Sequence, residues 1–244
     1  MASDPLAPFR TDPGNSAVLL DVDGVLAPIA PRPELSEVPQ HTLELLASLI
    51  ARYRLVACIS GRTLEEVRRL VPLPGLLAAG NHGLELDLGD GPTLAAEATG
   101  WLDRVAAAAE LLEEPAEEYG GFVELKGPTL TVHWRLAPDT DRAAGALEAR
   151  ALAVARDTGL VTRGARMAIE LRPPLPVDKG SAVRALLRAR PCARSLYAGD
   201  DVTDIDAFAV ADVAVAVISD EAPPGLVEAA TFAVSDASEL LERL

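Results

Sequence analysis

The sequence predicts an α/β fold in which a doubly wound parallel sheet carries a smaller inserted α/β module. Near the beginning and the end of the 244 residues, short apolar runs of strand length alternate with segments whose apolar residues recur at helical spacing. Between these two regions the alternation breaks, which indicates an insertion. Apolar residues make up 49% of the chain and aromatic residues only 4%, which suits short buried strands between helices.

The first part of the sheet is predicted from a βαβαβ pattern. Its three apolar runs of buried-strand length are residues 17–20, 55–59 and 76–79. Leucine and isoleucine at helical spacing predict a helix over residues 43–50. Thr63 stands three residues before Glu66, which is the spacing of a capping box and predicts the start of a second helix.

The same alternation returns towards the end of the chain. Strands are predicted at residues 196–198, 213–217 and 231–234. Asp178 can cap a helix, and Asp236, three residues ahead of Glu239, can start the last one. These segments complete a predicted core domain that consists of residues 17–83 and 172–244.

Residues 84–171 are predicted to form the inserted module. It would contain an Ala-rich helix over residues 101–114, a hairpin over 122–135, a second helix over 143–156 and a strand over 166–171. Residues 1–16 hold three prolines and one glycine without any periodicity. We therefore predict a poorly ordered N-terminal tail.

Charge and hydropathy restrict the partners. The formal net charge of −15 argues against nucleic acid and against an anionic membrane surface. No apolar stretch approaches the ~20 residues of a membrane span, and residues 1–13 lack a signal layout, so we expect a cytoplasmic protein. Cys58 and Cys192 are interpreted as reduced, buried thiols without a functional role.

Polar side chains follow four of the predicted strands. Asp21 ends the first, Ser60 follows the second, Asn81 and His82 follow the third, and Asp200 follows the fourth. Ligands of open parallel sheets bind in the crevice outside the carboxyl ends of the strands. We therefore expect these side chains to face one crevice.

The chemistry of this crevice is predicted from its carboxylates. An all-oxygen set suits a hard cation, and Mg²⁺ in particular binds through carboxylates while it keeps waters and a phosphate oxygen. With Lys179 nearby, such a site fits phosphoryl transfer, in which one aspartate attacks phosphorus and another handles the proton of the leaving alcohol. The candidate carboxylates are Asp21, Asp23, Asp200, Asp201 and Asp204.

Other phosphate-binding and hydrolytic motifs are missing from the sequence. It has no G-x-G-x-x-G after a strand and no G-x-x-x-x-G-K-[ST], and it has no G-x-S-x-G around Ser60. The turn formed by Ser60, Gly61 and Arg62 is better interpreted as a phosphate grip, with Arg62 available for the substrate.

Four motifs in order resemble those of haloacid-dehalogenase (HAD) phosphatases: DVDGVL at residues 21–26, SGR at 60–62, DKG at 178–180 and GDDVTD at 199–204. Three further stretches are similar to trehalose-6-phosphate phosphatases: GNHG at 80–83, VELKG with VHWR within 123–135, and ELRP at 170–173. The resemblance spans residues 17 to about 240. It implies a HAD-type, Rossmann-like core, with residues 84–171 as an α/β cap domain.

The resemblance also implies an activity, namely the Mg²⁺-dependent hydrolysis of trehalose 6-phosphate to trehalose and phosphate through an aspartyl-phosphate. Asp21 would be the nucleophile and a metal ligand. Asp23 would be the general acid/base, and its backbone carbonyl a further ligand. Asp200 would complete the protein ligands, and Asp204 would bind the metal or its waters.

The remaining implied contacts are made to the substrate, a small sugar phosphate. Ser60 and Lys179 would hold the transferring phosphoryl group. Lys126 and Glu170 in the cap would face the sugar, and closure of the cap would exclude water. Two residues would line the floor of the sugar site: Asn81 and His82.

Several alternatives stay open. The substrate could be another phosphorylated disaccharide or pseudo-disaccharide, and the chain could be a phosphoryl-transferring mutase or a catalytically silent regulator that binds a sugar phosphate. For His133 and Arg135, which alternate out of an apolar hairpin, a structural role is favoured. Ile205 replaces an acid that the family tends to carry. The sequence leaves the oligomeric state open, a monomer included.

Overall fold

The computed structural model describes residues 4–30, 32–219 and 222–244. Its strands, in chain order, are β1 (Ser16–Leu20), β2 (Leu55–Ile59), β3 (Leu77–Gly80), β4 (Glu85–Asp87), β5 (Pro92–Leu94), β6 (Phe122–Leu125), β7 (Leu130–His133), β8 (Val161–Ala165), β9 (Ala168–Arg172), β10 (Arg194–Gly199), β11 (Val213–Val217) and β12 (Phe232–Val234).

The α-helices, in chain order, are α1 (Ala7–Thr11), α2 (Gln40–Arg52), α3 (Leu64–Leu70), α4 (Ala96–Thr99), α5 (Leu102–Glu118), α6 (Thr140–Thr158), α7 (Lys179–Ala189), α8 (Ile205–Phe208), α9 (Leu226–Ala229) and α10 (Ala237–Glu242). The predicted caps are confirmed. Thr63 and Glu66 form a capping box at α3, the Asp178 side chain caps α7, and the Asp236 side chain caps α10.

The chain divides into two compact units, a core unit (Met1–Thr93 with Val177–Leu244) and an inserted unit (Leu94–Pro176). Both boundaries lie further along the chain than the predicted limits of the insertion, residues 84 and 171. The reason at the first boundary is that β4 pairs with β3 and extends the core sheet. A strand of three residues, such as β4, is too short to show a clear periodicity.

The core sheet has the strand order β12-β11-β10-β1-β2-β3-β4-β5. The strands from β12 to β3 run parallel, and β4 is antiparallel to β3. Alternate residues of β1 face opposite layers: Val18 and Leu20 join a cluster with α2, α3 and α10, whereas Ala17 and Leu19 join one with α7 to α9. The sheet is therefore covered on both faces, which confirms the doubly wound fold.

The predicted disordered tail over residues 1–16 is wrong for its described part. Residues 7–11 form α1, and Leu6 and Phe9 are buried in the core cluster. The guanidinium of Arg10 donates a hydrogen bond to the carbonyl oxygen of Arg243. Burial of two large apolar side chains orders this segment. Residues 1–3 lie outside the described residues.

The inserted unit is an antiparallel sheet of order β6-β7-β9-β8 with helices on one face. Leu130, Val132 and Leu171 are buried in a cluster with residues of α5 and α6. The register pairs Glu124 with Thr131 and Thr131 with Glu170, so these three residues form a row on the opposite face. The sequence patterns missed β8, whose alternation is weak.

Among the residues that the structure describes, no helix is both long enough and apolar enough to cross a membrane. The expected cytoplasmic location stays a prediction. Both cysteines are free; Cys58 is buried as predicted, whereas Cys192 is only partly buried. Burial, together with the nearby charge of Asp21, raises the pKa of Cys58 to about 12.

Candidate active site

Four of the predicted site residues lie at the edge of the core sheet formed by the carboxyl ends of its strands. Asp21 follows β1, Ser60 follows β2, Asn81 follows β3 and Asp200 follows β10, and these four parallel strands are neighbours. The backbone continues the ladder beyond the strands, because the Asp21 N–H donates to the carbonyl of Ala198 at 2.9 Å. The carboxyl ends therefore bring residues from distant parts of the sequence to the same edge.

Three buried carboxylates lie together at this edge. Asp21, Asp200 and Asp204 each offer an oxygen within 4.8 Å of the others. Position 24, in the turn after β1, requires glycine. Gly24 has φ +77°, and a Cβ there would lie 1.9 Å from a carboxylate oxygen of Asp200. This close approach of backbone to carboxylate allows the acidic cluster to form.

Lys179 compensates part of the charge of this cluster. Its Nζ lies 2.7 Å from Oδ2 of Asp21 and 2.7 Å from Oδ1 of Asp204, and the side chain is fully buried. Burial alone would lower the pKa of Lys179, but the carboxylates of Asp204 and Asp21 outweigh it and raise that pKa above its ordinary value. The lysine therefore stays protonated beneath the acids.

Negative charge remains in excess. Burial raises the pKa of Asp21 well above its ordinary value; Lys179 opposes this, and the charges of Asp204 and Asp200 add to it. Three carboxylates and one ammonium in a low-dielectric site disfavour the fully ionised state. A bound cation would relieve this repulsion.

Asp204 is held by four donors. Its Oδ1 accepts hydrogen bonds from Lys179 Nζ and from the Tyr197 hydroxyl at 2.6 Å, and its Oδ2 accepts from the backbone N–H groups of Asp200 and Asp201, both at 2.9 Å. Asp204 thus ties the loop after β10 to α7. Tyr197 was not predicted as part of the site; its only signal is a hydroxyl-bearing residue inside an otherwise apolar buried strand.

Asp23 lies apart from the buried cluster. Its carboxylate accepts two hydrogen bonds of 2.7 Å, from Nε and Nη2 of Arg62, and one of 3.3 Å from the hydroxyl of Ser36. We expected Arg62 to be available for the substrate. In the structure its guanidinium is instead engaged with Asp23.

The turn at Ser60 interlocks with the turn at Asn81. The N–H of Asn81 donates to the carbonyl of Arg62 at 2.7 Å, and the N–H of His82 donates to the carbonyl of Ser60 at 2.9 Å. Asn81 and His82 have φ values of +47° and +56°, a left-handed conformation that is strained for non-glycine residues. The His82 ring packs against Gly61, where a Cβ would approach it to 2.8 Å.

In the inserted unit, Glu170 is buried between two cations. Lys126 Nζ and Arg172 Nη1 each lie 3.8 Å from one of its carboxylate oxygens. His133 lies 2.8 Å from Oε2 of Glu124, which belongs to the row on this sheet face, and its ring stacks on Phe122. These contacts support a structural role for His133, and they add Glu124 as a residue that the sequence patterns did not single out.

Two other expectations concern Arg135 and Ile205. Arg135 follows β7 and is partly buried. Ile205 begins α8 and packs against the apolar cluster that contains Phe208. The replacement of an acid by isoleucine at this position is therefore accommodated by apolar packing.

An open parallel sheet with an inserted α/β unit and an acidic cluster around a buried lysine at its carboxyl edge defines a haloacid-dehalogenase-like α/β protein. The sequence model of the trehalose-phosphatase family matches residues 19–225. The chain therefore belongs to the trehalose-phosphatase family.

Curated relatives agree with this membership. The trehalose-phosphate phosphatase of Mycobacterium tuberculosis (strain ATCC 25618 / H37Rv) is 39% identical over 203 residues, which are 80% of this chain and 51% of that protein. An uncharacterized glycosyl hydrolase of the same strain is 38% identical over 201 residues, 79% of this chain but 15% of that protein. The chain thus spans about half the length of the curated phosphatases that it matches, and less of the hydrolase.

Solved structures show the same fold. A crystal structure of a trehalose-6-phosphate phosphatase related protein has a TM-score of 0.79 and 28% identity, and covers 93% of this chain and 95% of its own. The C-terminal domain of the trehalose-6-phosphate phosphatase of C. albicans has a TM-score of 0.76 at 20% identity, and covers 98% of this chain and 93% of its own. The second likeness concerns the fold alone.

Proposed function

We propose that this protein is a Mg²⁺-dependent phosphatase that hydrolyses trehalose 6-phosphate to trehalose and phosphate through an aspartyl-phosphate on Asp21. The observation that carries the proposal is the position of Lys179, whose ammonium lies between Asp21 and Asp204. A buried cation beside a carboxylate at the carboxyl edge of a parallel sheet suits the binding of a phosphoryl group next to its nucleophile.

The acidic cluster fits a magnesium ion, because its donors are all oxygens and its negative charge exceeds the charge of Lys179. Asp21, Asp200 and the backbone carbonyl of Asp23 would hold the ion, with Asp204 at the metal or at its waters. When bound, Mg²⁺ would neutralise charge on the phosphoryl oxygens.

The protein residues then have separate tasks. Asp21 attacks phosphorus, the bond from phosphorus to the sugar oxygen breaks, and Asp23 gives its proton to that oxygen. In the second step Asp23 takes a proton from water as the water attacks the aspartyl-phosphate, so phosphate leaves and Asp21 is restored. Ser60 and Lys179 hold the phosphoryl oxygens through both steps.

Recognition of the sugar is assigned to Lys126 and Glu170, together with Asn81 and His82. Lys126 pairs with Glu170, which lies in a row with Glu124 and Thr131, and charged and hydroxyl side chains of this kind suit the hydroxyl groups of a disaccharide. The family membership and the trehalose-phosphate phosphatase relatives support trehalose 6-phosphate among such substrates.

Phosphate release in the presence of Mg²⁺ tests the proposal. The substrates are trehalose 6-phosphate, sucrose 6-phosphate, glucose 6-phosphate and an aryl phosphate, with Asp21→Asn as the inactive control. We expect trehalose 6-phosphate to be preferred by more than about tenfold in kcat/KM, or ~1.4 kcal/mol. A smaller preference would exclude the trehalose assignment, and no turnover of any substrate would favour a silent regulator. Chelation should stop turnover reversibly.

A further inference from the structure

We infer that Arg62 is the positioning residue of the general acid/base Asp23, an inference that rests on the proposed function. The guanidinium meets the carboxylate with two hydrogen bonds of 2.7 Å, one from Nε and one from Nη2. Such a two-bond pair fixes the direction as well as the position of a carboxylate. A single ammonium donor would not do so.

The guanidinium is itself held from two other elements. Its Nη1 donates to the carbonyl of Pro33 at 3.0 Å and lies 3.3 Å from Oε1 of Glu66. Glu66 in turn accepts hydrogen bonds from the N–H and the hydroxyl of Thr63 in the capping box of α3. The orientation of Asp23 is therefore anchored to the first turn of a helix.

This arrangement places Arg62 behind Asp23 and not at the substrate. The three guanidinium nitrogens together donate four hydrogen bonds, which are directed at Asp23, Pro33 and Glu66. The Arg62 side chain is only 9% exposed, whereas that of Asp23 is 39% exposed. Of the two side chains, Asp23 is the one that an incoming molecule can reach.

Positioning matters because Asp23 transfers a proton in each of the two steps. Its proton goes to the sugar oxygen as the bond to phosphorus breaks, and it later removes a proton from water. Both transfers need a carboxyl oxygen within hydrogen-bond reach of the reacting atom. Without Arg62 the exposed Asp23 side chain could take several rotamers, and it lies only two residues from the cluster that attracts a cation. Arg62 thus keeps the carboxylate away from that cluster.

The test is a series of aryl phosphates without any sugar, from dinitrophenyl through nitrophenyl to phenyl phosphate, with Mg²⁺ present. The leaving group becomes more basic along this series and depends increasingly on a proton donor. For Arg62→Gln, we expect kcat/KM for phenyl phosphate to fall at least ~10-fold more than that for dinitrophenyl phosphate. This factor is a part of the rate acceleration that general acid catalysis supplies. Because no substrate carries sugar hydroxyls, lost sugar binding cannot produce this pattern.

A double-variant cycle shows whether Arg62 acts through Asp23. Asp23→Asn should give the same dependence on the leaving group, and Arg62→Gln should add nothing to it in that background. Arg62→Lys keeps the positive charge but loses the two-bond contact with Asp23. Its dependence on the leaving group should lie between those of Arg62→Gln and wild type. As a matched control, Arg68→Gln removes the ion pair between Arg68 on α3 and Asp87 on β4 and should leave the dependence unchanged.

Parallel losses on all three aryl phosphates, or no loss, would overturn the role of Arg62 while the phosphatase assignment stands. A further change from Arg62→Gln in the Asp23→Asn background would also overturn it. A wild-type chain that releases no phosphate from any substrate with Mg²⁺ would instead overturn the proposed function, and this inference with it. Thermal unfolding of each variant separates lost folding from lost chemistry.

Discussion

The ammonium group of Lys179 lies 2.7 Å from a carboxylate oxygen of Asp21, although 158 positions of the sequence separate the two residues. The contact joins the start of α7 to the end of β1, and thus the late part of the core unit to its first strand. Because both side chains are buried, removing either charge leaves the other without its partner and without hydration by water. The pair therefore links folding of the core unit to formation of the site.

Lys179→Met is expected to lower the free energy of unfolding by about 3–5 kcal/mol, because it leaves Asp21 and Asp204 as uncompensated buried carboxylates. Urea unfolding measures this loss. Arg184→Met is the control on the same helix: its pair with Asp178 is exposed and spans 3.9 Å, so its removal should cost less than about 1 kcal/mol. Equal losses in the two variants would contradict the role given to Lys179.

The same variant should have a characteristic pH dependence. The folded protein binds a proton at Asp21 more readily than the unfolded chain, because burial raises the pKa of that carboxyl. Protonation therefore favours the folded state. Lys179 opposes the rise of this pKa in the wild-type protein, so the effect should be stronger without it. The difference in unfolding free energy between wild type and Lys179→Met should therefore shrink as the pH falls below neutrality. A deficit that grows on acidification would show that the carboxylates are not its cause.

Tyr197→Phe removes one donor to Asp204 without opening a cavity. We expect a loss of about 1–3 kcal/mol in the free energy of unfolding, together with a several-fold loss of phosphatase activity. Tyr53→Phe is a matched control, since the buried Tyr53 hydroxyl donates to the carbonyl of Leu244 at 2.9 Å, away from the site. Tyr53→Phe should lose stability but keep its phosphatase activity. If Tyr197→Phe also keeps its activity, Tyr197 is purely structural.

Lys126→Ala is expected to impair the sugar phosphate selectively. The kcat/KM for trehalose 6-phosphate should fall by at least ~10-fold more than that for nitrophenyl phosphate, because only the former carries the hydroxyls that the lysine would contact. Arg142→Ala serves as the control, since Arg142 lies on α6 over the ring of Tyr119. Parallel losses on both substrates would mean that Lys126 does not recognise the sugar.

Cys58 predicts a loss of stability at alkaline pH. Burial raises the pKa of its thiol from 9.0 to about 12, so between these values the unfolded chain gives up a proton that the folded protein keeps. The contribution of the Cys58 thiol to the free energy of unfolding is fully present below pH 9. It is lost above pH 9 by about 1.4 kcal/mol per pH unit. Cys58→Ala should flatten the decline between pH 9 and 10 more than Cys192→Ala does, because Cys192 is only partly buried although burial raises its pKa as well. Identical slopes in the two variants would contradict this assignment.

Much of the fold was predictable because its signals are local. The apolar runs of β2 and β11 have the predicted bounds, and the caps at Thr63, Asp178 and Asp236 are where the residue spacing indicated. Segments with weak local signals were missed: α1 is ordered by the burial of Leu6 and Phe9.

The order of the motifs, the parallel core with its insertion, and the residue types at the ends of the strands can all be predicted from the residues alone. Which side chains meet follows only from the folded chain: Arg62 holds Asp23, Tyr197 donates to Asp204, and Glu124 lies in a row with Glu170. The two kinds of information differ in range. Periodicity and capping act over a few neighbouring residues, whereas the partner of a charged or hydroxyl group depends on distances that exist only after the sheet has formed.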